Sequence, residues 1–155
     1  MASAETYSPL AGPVLLAYDG CDLAGFAIEQ AGLQLAPRRE ALVVCVWQTG
    51  DVGFLPVDGR HLKAAQATDV RAAAEETAAR GASLAEKAGF RARSLALEAA
   101  PTWKGIVEVA ERDDASLIVL GSHRRTGLAG HFLGSVAGAV VAHSERSVLV
   151  VHKRS

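Results

Sequence analysis

Aromatic side chains are scarce in this chain: they make up 5% of its 155 residues, against 50% hydrophobic residues in all. The core must therefore be built from Ala, Val, Leu and Ile, a composition that suits helices laid closely on a parallel sheet. Cysteine is nearly absent. Cys21 and Cys45 stand at no metal-ligand spacing, which argues against a disulfide framework and for free thiols, buried or half-buried. No apolar run approaches the ~18 residues of a membrane span, and the segment Met1–Pro9 lacks the basic and apolar regions of a signal peptide. The expectation is a cytoplasmic protein with no membrane partner. Charge of one sign is lacking too: a formal net charge of −1 gives no support for a nucleic-acid partner. The length suffices for one domain over residues 1–155 that buries a core without disulfides or metal, with residues 1–10 as a flexible N-terminal segment.

What is present alternates between two periods. Val14–Tyr18 is a short apolar run closed by Asp19-Gly20, a first strand ending in a turn, and Asp22 is placed to cap the helix that follows. Ala24, Ala27, Ile28, Ala31 and Leu35 share one face of that helix, which Pro37 ends. Ala41–Trp47 is a second strand, apolar on both faces as in a covered parallel sheet. Gln48–Gly59 reads as a loop, and a long alanine-rich helix follows from about His61 to Ala88. Its stripe is Ala67, Val70, Ala74, Ala78, Gly81, Leu84 and Ala88, with Arg71, Glu75, Glu76, Glu86 and Lys87 toward water. Gly81 costs that helix about 1 kcal/mol against alanine, so a close packing contact is expected there, and Gly89 is its stop.

Arg91–Glu98 reads as a more exposed strand, and Pro101–Arg112 as a helix with Ile106, Val109 and Ala110 inward. A fourth strand ends at Leu120, a last helix ends near Ser144, and Ser147–Val151 is a fifth strand before a solvated tail. Strand and helix alternate throughout, which predicts βαβ units with right-handed crossovers.

The most informative stretch lies between the fourth strand and the last helix, from Gly121 to Ser135. It is glycine-rich, basic and hydroxyl-bearing. Backbone N–H groups of such a turn and of the helix start point at an anion, and glycine lets the chain approach it closely. A turn of this kind also occurs in α/β folds without a ligand. Other phosphate fingerprints are missing: there is no Gly-Lys-Ser/Thr, and no G-x-G-x-x-G at the first turn. The histidines (His61, His123, His131, His143 and His152) form no His-x-x-x-His pair and read as solvated or capping groups. Gly134-Ser135 is not a hydrolase elbow. No nucleophile, base and orienting acid assemble, and Glu98 and Asp113-Asp114 read as surface charges.

Several blocks in order resemble the universal stress protein family. They are Val14–Gly20, Ala115–Ser122, Thr126-Gly127-Leu128, Leu133–Val136 and Ser147–Val151, covering nearly the whole chain. The resemblance implies a single-domain α/β fold. Its core is a Rossmann-like open parallel five-stranded sheet of order 3-2-1-4-5, with helices on both faces and ligand at the carboxyl ends of strands 1 and 4. It implies binding of ATP, with Mg, or a related adenine nucleotide in a stress-response role, with at most slow hydrolysis. Carried over residue by residue, Ala17 and Asp19 lie by adenosine, Val46 meets adenine, and Gly121, Gly134 and Ser135 hold phosphate. Leu120, His123 and Val136 are further contacts. The resemblance also implies a homodimer through Val148–Val151, which would cover an exposed apolar sheet edge.

This chain departs from the family pattern at Arg124, where a second glycine belongs. A positive side chain there can reach phosphate oxygens, or the lost glycine can remove a space the phosphates need. The second case gives a rival reading, a dimeric interaction module of the same fold that binds no nucleotide. A third reading is an enzyme acting on an adenylate-like substrate, against which no catalytic group stands out.

Overall fold

The computed structural model describes residues 12–48, 60–122, 125–127 and 130–153; for 60–66, 125–127 and 130–132 the description covers backbone only. In chain order the elements are β1 (Val14–Ala17), α1 (Asp22–Gln34), β2 (Glu40–Trp47), α2 (Arg60–Lys87), β3 (Arg91–Glu98), α3 (Thr102–Arg112), β4 (Leu117–Gly121), β5 (Arg125–Gly127), β6 (Gly130–Phe132), α4 (Ser135–His143) and β7 (Ser147–Val151). Five strands form one parallel sheet in the order β3-β2-β1-β4-β7, the expected 3-2-1-4-5 arrangement. β5 and β6 form a separate antiparallel pair inside the connection between β4 and α4, which the sequence reading takes as plain loop.

Both faces of the sheet are covered, and the strands' twofold side-chain alternation sorts the core into two layers. Leu16, Val43 and Val119 point to one face, where they meet Ala27, Ile28 and Ala31 of α1 and Ala85 of α2. Leu15, Leu42, Val44, Ile118 and Leu120 point to the other, against Ile106, Val109 and Ala110 of α3 and Ala137 and Val140 of α4. β1 is central in register, with Leu15 opposite both Leu42 and Ile118. Leu15, Leu16, Leu42 and Ile118 are fully buried, and burial of each such side chain contributes roughly 1.5–3 kcal/mol.

The close contact expected at Gly81 is present. A Cβ there would lie 2.6 Å from the Tyr18 ring and 2.7 Å from Val43 Cγ1, so only glycine lets α2 settle onto β1 and β2. α2 closes as expected at Gly89, whose φ is +102°. The Gly89 N–H donates to the Glu86 carbonyl and the Phe90 N–H to the Ala85 carbonyl.

Two local expectations are corrected. The N-cap of α1 is Cys21, not Asp22: the Ala24 N–H donates to Cys21 Sγ at 3.4 Å, and Asp22 is the first helical residue. Asp113 is no lone surface charge: its carboxylate is only 13% exposed and accepts from Arg93 at 2.9 Å and Arg112 at 2.7 Å. Nearby, Arg146 donates to Asp114 at 2.6 Å and Glu111 at 3.0 Å, tying the start of β7 to the end of α3.

Candidate ligand cavity at the strand ends

The connections that follow the neighbouring strands β1 and β4 leave opposite faces of the sheet, and a crevice opens at the carboxyl ends between them. A cavity of about 260 Å³ occupies that crevice. Its floor is Ala17, Val44, Val46 and Leu120 from the strand ends, and its walls come from the starts of α1, α3 and α4. A cavity of this size lies near the lower end of small-molecule sites, roughly 300 Å³.

The α4 side is built to receive negative charge. Gly134 is the N-cap and supplies no side-chain acceptor, and the first turn holds no acidic residue. The first helical bond runs from the Gly138 N–H to the Gly134 carbonyl at 2.8 Å. The N–H groups of Ser135, Val136 and Ala137 precede that bond and have no acceptor within the helix. These three residues line the cavity, so the positive end of the helix dipole faces it.

The position of that helix end depends on Ser122, only 3% exposed, whose Oγ accepts the Gly134 N–H at 2.9 Å. The bond spans residues 123–133, so a side chain at the end of β4 fixes where α4 begins. The Ser122 N–H in turn donates to the Val151 carbonyl at 3.0 Å, anchoring the same residue to β7. Gly121 is glycine for lack of room: a Cβ would lie 2.9 Å from Leu23 Cγ and 3.1 Å from the Leu23 carbonyl oxygen in the first turn of α1.

On the β1 side, Asp19 Oδ1 accepts the Cys21 N–H at 3.0 Å and so shapes the turn into α1. Burial pushes the Cys21 thiol above its ordinary range, and the hydrogen bond with Asp19 adds to the effect. Burial, followed by the charge of Asp19, does the same to Cys45. Both residues are held as neutral thiols, not as thiolate nucleophiles.

On the β2 side the cavity is an apolar slot between Val44 and Val46 below and Ile106 of α3 above. Its polar feature is Thr102, the first residue of α3, whose Oγ1 accepts from Gln48 Nε2 at 3.1 Å.

Ala17, Asp19, Val46, Leu120, Gly121, Gly134, Ser135 and Val136, all singled out from sequence, line this one cavity. His123 and Arg124 lie outside the described residues, as do residues 1–11 and nearly all of the loop Gln48–Gly59. Sequence reasoning missed Tyr18, Cys21, Thr102, Ile106 and Ser122. The serine beside Gly121 was a visible signal for the last, but its partner stands twelve positions away. Among the described histidine side chains, His143 stacks on Trp103 at 4.4 Å and His152 Nδ1 lies 3.4 Å from the Ser122 carbonyl oxygen. Among the described residues, no three His, Cys, Asp or Glu side chains are grouped to hold a metal, and no helix is long and apolar enough to cross a membrane.

Sheet order, covered faces and a cavity at the switch point define a doubly wound, Rossmann-like α/β protein. The sequence profile of the universal stress protein family matches residues 11–152, and the chain belongs to that family. It is 30% identical to the universal stress protein MJ0531 of Methanocaldococcus jannaschii over 142 residues, which cover 90% of this chain and 81% of the relative. The structure of MJ0577, a universal stress protein of the same organism, superposes with a TM-score of 0.75 at 21% identity, covering 94% of this chain and 99% of the other. A universal stress protein solved in complex with cAMP superposes with a TM-score of 0.67 at 24% identity, covering 92% and 98% of the two chains. One from Archaeoglobus fulgidus in complex with dAMP gives 0.52 at 23% identity, covering 91% and 98%.

Proposed function

We propose that this protein binds ATP or a related adenine nucleotide in the cavity at the strand ends and acts as a nucleotide-dependent stress or regulatory protein in the cytoplasm. The observation that carries the reading is the start of α4. Three N–H groups without helical acceptors face the cavity, and Ser122 locks the residue before them in place. A phosphate at such a helix end gains both hydrogen bonds and the favourable end of the dipole. The cavity itself suits a nucleoside, with phosphates extending outward past Gly134 and Ser135. Asp19 supplies an acceptor suited to ribose hydroxyls, and the slot over Val46 suits a flat apolar base. The cAMP and dAMP complexes of related proteins support the same ligand class.

Magnesium would accompany ATP through phosphate oxygens and water. Hydrolysis, if any, would be slow. The protein would work as a homodimer through β7, which forms an edge of the sheet with Val148, Leu149 and Val150 only partly covered.

The experiment is direct: denature the purified protein, identify any released nucleotide by absorbance and mass, and measure ATP binding by equilibrium dialysis. Retained nucleotide or binding at up to millimolar ATP supports the reading. No binding with or without magnesium would sink it in favour of an interaction module. Arg124→Gly separates the roles of that side chain: a fall in affinity assigns it to phosphate, and a rise marks it as an obstruction.

A further inference from the structure

We infer that His152 is a positioning residue for the phosphate of the nucleotide: its ring holds the strand end to which the start of α4 is fixed. The inference rests on the function proposed above. The ladder between β4 and β7 ends at the pair Gly121 and Val151. One step beyond, the Ser122 N–H still donates to the Val151 carbonyl at 3.0 Å. The ladder does not go on to the Ser122 carbonyl: among the described residues, no backbone N–H reaches it. The His152 ring takes that place, with Nδ1 3.4 Å from the carbonyl oxygen. A carbonyl can only accept, so the contact assigns the proton to Nδ1.

Ser122 is thereby gripped at both backbone groups, and its buried hydroxyl accepts the Gly134 N–H at 2.9 Å. A shift of the Ser122 backbone would carry that hydroxyl with it, and so move the amides of Ser135, Val136 and Ala137. Hydrogen bonds weaken quickly as distance and angle depart from the optimum. The ring is itself held in place from both sides. Val151, before it, is buried. Lys153, after it, sets its ammonium 5.9 Å from the centre of the Phe26 ring on α1, within cation–π range. His152 is half-buried and does not line the cavity, so it acts on a ligand only through Ser122. Its loss weakens what meets the phosphate and leaves the contacts of the nucleoside alone.

The test compares AMP with adenosine, which lacks the phosphate, in calorimetric titrations of wild type and variants. Wild type is expected to bind AMP more tightly than adenosine. His152→Ala should bind AMP about threefold to tenfold more weakly, the range of one hydrogen bond, with adenosine changed less than about twofold. His152→Asn sets an amide N–H near the place of the Nδ1 proton and should restore AMP binding. His152→Gln carries its amide one bond farther out and should not. Equal wild-type affinities for the two ligands, equal losses for both, no loss for either, or rescue by Gln as well as Asn would overturn the inference and leave the proposed function standing. The proton can also be read on wild type, with no variant that has to fold. At about pH 8.5, where an ordinary imidazole is neutral, nitrogen NMR should show His152 protonated at Nδ1. A ring protonated at Nε2 alone would overturn the inference. Failure of wild type to bind AMP or adenosine at millimolar concentration would overturn both.

Discussion

Ser122 and Gly134 are joined by a hydrogen bond at 2.9 Å, from the backbone N–H of one to the buried hydroxyl of the other. This one contact sets where the last helix starts, and with it the direction of the three amides that face the cavity. Ser122→Ala would leave the Gly134 N–H without its partner. A loss of about 1–2 kcal/mol in stability is expected, visible in urea unfolding. Nucleotide affinity should fall further than that of a surface control such as Ser83→Ala, measured by the same titration.

Gly81→Ala sets two effects against each other. Alanine favours a helix interior by about 1 kcal/mol, but its methyl would sit 2.6 Å from the Tyr18 ring and 2.7 Å from Val43. Overpacking of this kind costs about 1–3 kcal/mol, and both neighbours are themselves buried. The expected net result is a lower melting temperature, the opposite of what helix propensity alone predicts. A higher one would mean that α2 shifts freely.

The hydrogen bond from Arg112, then that from Arg93, holds the Asp113 carboxyl below the usual carboxylate range. A carboxyl depressed in the folded state adds stability above its unfolded value, about 3.9, and loses it as pH falls through the lower folded value. Asp113→Asn should therefore be less stable than wild type at neutral pH, and the gap should close as pH drops below about 4. Unfolding free energies from pH 7 to pH 2.5 check this; a gap that stays constant would contradict it.

Val150 lies on β7 at the edge of the sheet, half-covered, with its side chain toward the α3 and α4 layer. A lysine there can lay its stem along the sheet and carry its ammonium into water, so Val150→Lys should fold while disfavouring edge-to-edge pairing. Sedimentation is expected to show a dimer for wild type and a monomer for the variant. An unchanged mass would remove β7 from the interface.

How much of this was legible beforehand follows the range of each interaction. β3 and β7 stand where hydrophobic pattern puts them, and Gly81 and Gly89 have the roles their type suggests. The pair β5 and β6 escaped notice because three-residue strands are too short to show a period. Gly127 and Gly130, either side of two residues, were the remaining hint. Asp22 looked the better cap, yet the neighbouring thiol takes that place, since cap choice follows the local turn set by Asp19 and Cys21.

The sequence by itself determined the layered fold and the family. Alternation of apolar runs with amphipathic helices leaves few ways to bury both faces of a parallel sheet, and those runs are local in the chain. It also marked much of the cavity lining, because the ends of β1 and β4 carry recognisable residues. Only the tertiary structure decided how the walls of the cavity are held. Ser122 meets Gly134, and Gln48 meets Thr102, across separations that no periodicity encodes. A hydrogen bond depends on distance and direction in space, so those contacts exist only once the sheet has set the ends of β2 and β4 beside the starts of α3 and α4.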